Sequence, residues 1–417
     1  MNSLIPERHL PFTTHWPSVF QLGFSLLGVG VLWSGALLLV VLGLEQNLAP
    51  SPIQASGMPF ILMGTAGFLI GLLLIPSAGY AYLRLVGRAT EVPWQSPPWL
   101  RPTLLIFALP LVLLLGYVIS PHKLLAMVFL PPVHILAIGI PILWLAYLAV
   151  RDLPQGTPQR QWGILGSGSV LAPSLILVLE VVVLFGGLVG WILSISGNPN
   201  ALSELYNLAQ RLEQAQQTGG SPELVVRLLA PYLRNPAVIF SAFAFGTVIV
   251  PVIEETLKPL GVWFLVGSHL KPAEGFTAGI LCGAGYALAE SLVLSSGGGA
   301  EWVSLVFARM GTSVVHILTS GLTGWGLALA WSESRYIRLG AAYLCAVLIH
   351  GLWNGFTMLM VVASLSQVMG TPEAGWLALA DQVAPYGLIV LSLAGLSALL
   401  WINGLLRRGQ STSQGVV

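Results

Sequence analysis

Residues 236–268 read PAVIFSAFAFGTVIVPVIEETLKPLGVWFLVGS, an apolar run whose charged residues are Glu254, Glu255 and Lys258. About 20 apolar residues in a helix cross the roughly 30 Å hydrocarbon core of a bilayer. The run is longer than one straight span needs, and it contains Pro251 and Pro259. We therefore predict a membrane span that is kinked or broken close to its three charged residues.

Similar apolar runs fill the chain on both sides of this stretch. They predict ten spans, near residues 18–44, 57–83, 102–120, 124–150, 168–196, 236–268, 273–296, 302–331, 337–363 and 384–406. The predicted fold class is therefore all-α, a polytopic transmembrane helical bundle. The composition agrees, because 55% of the residues are hydrophobic and only 8% are charged, against roughly 25% charged in a soluble domain. A net charge of +1 offers no basic face for nucleic acid, so nucleic acid is excluded as a partner.

One long hydrophilic stretch, residues 197–235, interrupts this pattern. Leucines recur there at helical spacing among Gln, Glu and Arg, which predicts an amphipathic helix pair on the outer surface. We divide the chain into a five-span region at 1–196, the extramembrane segment at 197–235, a core at 236–363, and a final span with its tail at 364–417. The role of the first two regions is left open.

The Lys and Arg residues of the loops predict the orientation. With a cytoplasmic N-terminus, most of them, including Arg84, Arg151 and Arg160, fall on the inner side, as the positive-inside rule requires. We expect both termini to be cytoplasmic in an integral protein of a prokaryotic cytoplasmic membrane.

Ionisable residues cluster in four consecutive C-terminal spans. Each charged side chain at mid-bilayer costs at least about 2.5 to 3.5 kcal/mol, so each needs a reason. Glu254 and Lys258 are four residues apart, carboxylate first, which is the favourable helical pairing. This pairing predicts that Glu255 faces another direction.

The other three spans each carry a polar stripe. Tyr286 and Glu290 stand four apart on one, and Arg309 and His316 share a face of the next. The following span places His350 and Asn354 one turn apart. We expect these stripes to meet at a largely dry pocket.

Two further polar residues, His134 and Glu180, lie in spans of the N-terminal half. Intramembrane His and Asn side chains commonly bond another helix. We interpret both residues as interhelical partners and not as catalytic groups.

The ionisable residues of the four C-terminal spans are of the types that activate water. Two adjacent carboxylates in a desolvated site cannot both ionise cheaply, so the pair can supply a base and then an acid. Imidazole, amide and guanidinium groups can stabilise the oxyanion formed when water attacks a carbonyl. No Ser or Cys nucleophile with an evident base occurs, and HExxH and GxSxG are absent. Amide hydrolysis within the membrane is the predicted reaction.

The motif series Glu254-Glu255-x-x-Lys258, Tyr286-x-x-x-Glu290, Arg309 with His316, and His350-x-x-Trp353-Asn354 resembles the PrsW family of membrane proteases. It is similar also to the related CAAX prenyl proteases and bacteriocin-processing enzymes, where a His stands at the position of Glu290 and a Phe at that of Tyr286. The resemblance covers about residues 236–363.

The resemblance implies a glutamic-type intramembrane endopeptidase. Glu254 or Glu255 would activate water, and His316, His350 and Asn354 would bind the oxyanion. Lys258, Tyr286, Glu290 and Arg309 would support them. The implied substrate is a single-pass or other membrane protein in the lipid bilayer.

No cofactor is expected, because the paired carboxylates work without metal. Glu254, Glu255, His316 and His350 could nevertheless hold zinc. Two other classes also fit ten spans with intramembrane charges: a secondary transporter or ion channel, and a non-catalytic membrane scaffold. A transporter predicts an ion path along the bundle, whereas the residues above predict one compact centre.

Overall fold

The structure is a computed structural model that describes residues 15–48, 57–88, 102–195, 199–217, 222–297, 301–369 and 375–414. Within these ranges the secondary structure is helical and contains no strand. The predicted all-α class is confirmed.

The helices before the central hydrophilic segment belong to the N-terminal region. They are α1 Trp16–Leu48, α2 Met58–Leu85, α3 Pro102–Leu105, α4 Leu109–Ile119, α5 Lys123–Val150, α6 Pro158–Gly166 and α7 Ala172–Ile195. The remaining helices follow in the same order along the chain. They are α8 Pro199–Gln217, α9 Pro222–Leu233, α10 Pro236–Ala244, α11 Val250–Leu257, α12 Leu260–Trp263, α13 Pro272–Leu294, α14 Trp302–Glu333, α15 Tyr336–Val368 and α16 Gly375–Gln414.

Nine helical stretches in the described part of the chain are long and apolar enough to cross a membrane. The protein is therefore an integral membrane protein. The predicted span at 102–120 is shorter than the others, because a 3₁₀ turn at Ile106–Ala108 separates α3 from α4. Its apolar helix runs over Ile106–Ile119, less than the roughly 20 residues of a full crossing. The segment 197–235 contains two helices, α8 and α9, as predicted.

The span that opens the C-terminal half is broken as its prolines predict. It runs over Pro236–Trp263, but a π-helical turn at Phe245–Ile249 separates α10 from α11. Pro251 follows in the first turn of α11 and has no N–H for the preceding carbonyls. Helix α11 ends at Leu257, directly before Lys258 and Pro259. A π turn is frequent beside functional sites because it rotates the residues that follow it.

Small residues bring α13 and α14 into backbone contact. Gly275, Gly279 and Gly283 recur every fourth residue along one face of α13. A Cβ at Gly283 would lie 2.5 Å from the carbonyl oxygen of His316 on α14, and one at Gly279 would clash with that of Ser320. In lipid, such small residues let helices approach closely. This approach sets the distance between the polar stripes of the two helices.

We expect Gly279→Ala to destabilise the folded bundle by about 1 to 3 kcal/mol, the usual cost of overpacking a close contact. The matched control is Gly187→Ala in α7, where an added Cβ has no neighbour within 4 Å. Thermal unfolding in detergent measures both variants. Equal melting temperatures for Gly279→Ala and the wild type would contradict the importance of this contact.

Candidate active site

The two adjacent glutamates stand in the last turn of α11, and both are buried. Glu255 is 0% exposed and Glu254 is 5% exposed. Ile253 beside them packs with Tyr286 of α13 and with Ile176 of α7. The short α11, held between neighbouring helices, therefore points its carboxylates into the protein.

Lys258 is the centre of the cluster, with its side chain fully buried. Its Nζ lies 2.5 Å from Glu255 Oε1 and 3.3 Å from Glu254 Oε2. The predicted ion pair between Glu254 and Lys258 is confirmed, but the prediction that Glu255 faces another direction is wrong. Residues three and four apart share one side of a helical turn, so one ammonium contacts both carboxylates. The closer ion pair is the one with Glu255.

The polar stripe of α14 reaches the same ammonium. His316 Nδ1 lies 2.9 Å from Lys258 Nζ. On its other side, His316 Nε2 lies 2.6 Å from Glu290 Oε2. Lysine can only donate, so the Nδ1 atom accepts, and the Nε2–H donates to Glu290. Both ring nitrogens of His316 thus have partners within the protein.

Glu290 and Arg309 form the outer end of this chain of contacts. The Arg309 guanidinium donates to Glu290 Oε2, and its Nε donates to Ser291 Oγ at 3.2 Å. The arginine fixes the carboxylate that in turn orients His316. This is a positioning arrangement, since neither group contacts the glutamates of α11.

His350 approaches the glutamates from α15. Its Nδ1 lies 2.8 Å from Glu255 Oε1 and 3.4 Å from Lys258 Nζ. Its Nε2 lies 3.9 Å from Glu254 Oε2. The rings of His316 and His350 meet edge to face with centroids 5.3 Å apart. The Nε2 side of the His350 ring therefore faces Glu254.

Two more predicted residues complete the surroundings. Tyr286 packs its ring edge to face against His316 at 5.0 Å between centroids, and Lys258 Nζ lies 5.2 Å from the tyrosine ring centroid. The side-chain amide of Asn354 is bonded outside the cluster, because its Nδ2 donates to the carbonyl of Gly246 at 2.9 Å. That carbonyl belongs to the π turn before α11. Asn354 thus secures the turn that orients the glutamates.

The two residues set apart in the N-terminal half have different surroundings. His134 is buried between the Leu292 carbonyl, 3.0 Å from its Nε2, and Trp302, whose Nε1–H donates to its Nδ1 at 2.9 Å. The predicted interhelical role is confirmed for His134.

Glu180 lies closer to the cluster than its position in the sequence indicates. It is on α7, one turn beyond Ile176, and its Oε1 is buried with no hydrogen-bond partner in the described part of the chain. Ile176 packs in one cluster with Ile253, the neighbour of Glu254, and with Tyr286. The position of Glu180 in an otherwise apolar run already indicated that it has a polar neighbour. Its neighbours lie more than 70 residues further on, so spacing could not identify them.

Three residues of the cluster have the donor types and proximity of a metal site. Glu254, His316 and His350 each offer one ligand atom, and these atoms lie within 4.8 Å of one another. A carboxylate with two imidazoles is a known zinc set. Lys258 Nζ, however, lies 2.9 and 3.4 Å from the two Nδ1 atoms and 3.3 Å from Glu254 Oε2. An ammonium therefore lies within 3.4 Å of one candidate donor atom of each residue, so a divalent cation bound by these atoms would have to displace Lys258.

Comparison with protein families places this site in context. Residues 176–377 match the model described as PrsW family intramembrane metalloprotease. The predicted resemblance is confirmed and extends into α7, before the first motif. Comparison with curated proteins found no match, and neither did comparison with solved structures. The family match supports an intramembrane protease.

Proposed function

We propose, from the PrsW-family segment at residues 176–377, that this protein is an intramembrane endopeptidase that hydrolyses peptide bonds with a glutamate-activated water. The observation that carries the proposal is the buried cluster in which two carboxylates share one ammonium. Such a cluster can accept a proton from water and still remain close to neutral. The glutamates and histidines lie within a few ångströms of one another, as they must to act on one peptide bond.

Glu254 is the better base of the two glutamates. Glu255 Oε1 is held by Lys258 at 2.5 Å and by His350 at 2.8 Å. Glu254 is less tightly held, because its Oε2 lies 3.3 Å from Lys258 Nζ and accepts no hydrogen bond from the described residues. A base must contact the water whose proton it takes. Glu254 takes that role, and Glu255 positions Lys258 and His350.

The reaction follows from these positions. Glu254 takes a proton from water, and the oxygen of that water bonds to the scissile carbonyl carbon. The ammonium of Lys258 stabilises the carbonyl oxygen as it becomes an oxyanion. The Nδ1–H of His350 donates to Glu255 Oε1 at 2.8 Å and so holds that carboxylate beside the ammonium. The C–N bond then breaks, and the proton held by Glu254 passes to the leaving nitrogen. His316 holds Lys258 in place through its Nδ1.

The positive charge of this site comes from Lys258. A metal ion held by Glu254, His316 and His350 would polarise the same carbonyl as a Lewis acid. It would need the space that the ammonium occupies. Lys258 therefore supplies the electrostatic stabilisation in the proposed reaction without a cofactor.

The substrates are single-pass or other membrane proteins, because the cluster lies among spans of a lipid-embedded bundle. We place the enzyme in a prokaryotic cytoplasmic membrane with both termini in the cytoplasm, as the positive-inside rule predicts.

A proteomic comparison tests the function and identifies the target. The native host cells express either the wild type or a Glu254→Gln/Glu255→Gln double variant. The abundance of each single-pass membrane protein is then compared between the two. We expect full-length substrates to accumulate in the variant and their fragments to occur only with the wild type. The purified enzyme should then cut the same proteins in vesicles.

Solute transport without any difference in proteolysis would favour the transporter class. If the two membrane proteomes are the same, and wild-type vesicles move a solute or protons that variant vesicles do not, the protease proposal is wrong. If neither difference occurs, the chain is a scaffold.

A further inference from the structure

A cavity of about 760 Å³ lies away from the glutamate cluster, between α1, α2, α6 and the segment after α11. We call it the amphipathic cavity. Its walls combine aromatic and aliphatic side chains from separate spans with polar groups at one end. Such a volume is in the range that takes one small amphiphile.

The apolar part of the amphipathic cavity is formed by Phe20 and Phe24 of α1, Leu171 and Phe264. Phe20 and Phe264 are 72% and 64% exposed. Exposed aromatic side chains at the edge of a cavity in a membrane protein contact acyl chains. The cavity is thus open to hydrocarbon on this side.

The neutral polar groups at the other end bond one another. Gln21 Nε2 donates to Ser77 Oγ at 3.1 Å, and Gln159 Nε2 donates to Gln21 Oε1 at 3.1 Å. This network joins α1, α2 and α6. Ser167 Oγ, in the same lining, is buried without a hydrogen-bond partner among the described residues, so the cavity also offers a neutral hydrogen-bonding group.

The basic side chains that line the cavity have no close acidic partner in the described part of the chain. Its lining contains His15, Arg84 and Arg160, and among the described lining residues there is no Asp or Glu. Neither arginine forms an ion pair within 4 Å in the described part of the chain. Arg160 Nε is buried and has no hydrogen-bond partner among the described residues. Glu274 acts on Arg160 only at longer range, and its Oε2 accepts from the Lys271 N–H at 2.9 Å.

We infer that the amphipathic cavity binds one anionic phospholipid. The phosphate accepts hydrogen bonds from Arg160 and Arg84, and one acyl chain lies along Phe20, Phe24 and Leu171. A buried guanidinium N–H without a partner is satisfied by such an oxygen. Basic pockets between spans on the cytoplasmic side are suited to anionic head groups, and both arginines are predicted on that side.

Native mass spectrometry tests the inference with the full chain in nanodiscs that contain phosphatidylcholine and phosphatidylglycerol in equal amounts. We expect the wild type to retain one phosphatidylglycerol. Each of Arg84→Gln and Arg160→Gln should reduce the preference about 5-fold, and the double variant about 25-fold if the effects add. The control Arg338→Gln, an exposed arginine outside the cavity, should leave the preference unchanged.

A second variant tests the cavity without changing its charge. Leu171→Trp fills the apolar part and should remove the retained lipid, whereas Leu177→Trp, 62% exposed on α7, should not. Three results would overturn the inference: no retained lipid on the wild type, equal retention of both lipids, or unchanged preference in the double arginine variant. Displacement of the lipid by inorganic phosphate alone would show a free-anion site instead.

Discussion

Cleavage of the substrate should fall by about 100- to 10,000-fold in Glu254→Gln, the usual contribution of a general base. Glutamine keeps the size of the side chain and cannot take a proton from water. Because Glu254 holds no close hydrogen bond at Oε2, we expect the variant to insert and fold as the wild type does. Single-turnover cleavage of a substrate from the proteomic comparison, with a melting curve, measures both properties.

The matched control is Glu204→Gln on α8, an exposed glutamate outside the spans. It should cleave at the wild-type rate. Glu255→Gln should lose activity together with stability, since Glu255 holds both Lys258 and His350. Full cleavage by both Glu254→Gln and Glu255→Gln would show that neither carboxylate is the base.

The second large effect is expected at Lys258. Lys258→Met leaves two buried carboxylates without their ammonium, and removal of one partner from a buried ion pair costs about 3 to 5 kcal/mol. Cleavage should be lost as well, because the charge that stabilises the oxyanion is gone. Unfolding in detergent and the cleavage assay give the two values.

The same variant distinguishes the ammonium from a metal. Lys258→Met removes the positive charge that lies within 3.4 Å of candidate donor atoms of Glu254, His316 and His350, so the variant should bind zinc more tightly than the wild type. Elemental analysis after dialysis measures this. A wild type that carries one zinc per chain, and that a chelator inactivates, would contradict the metal-free proposal. Lys258→Arg keeps the charge and should retain more stability than Lys258→Met.

Much of the site could be read from spacing within single helices. Tyr286 with Glu290, and His350 with Asn354, share helix faces because residues four apart always do. The spacing of Glu254 and Lys258 likewise predicted that they form an ion pair. Spacing could not show that Lys258 contacts both glutamates and two histidines, because these contacts depend on how far α14 and α15 lie from α11.

The amino-acid sequence by itself determined the all-α membrane fold, the break in the span that carries the glutamates, and the identity of the polar residues. Each follows from interactions within one segment: apolar length, missing proline N–H groups and helical period. The tertiary structure decided the rest. Close approach at Gly279 and Gly283 places His316 beside Glu290, and crossing helices place Arg160 in the amphipathic cavity. Distances between helices depend on the packing of side chains far apart in the chain, which no local pattern encodes.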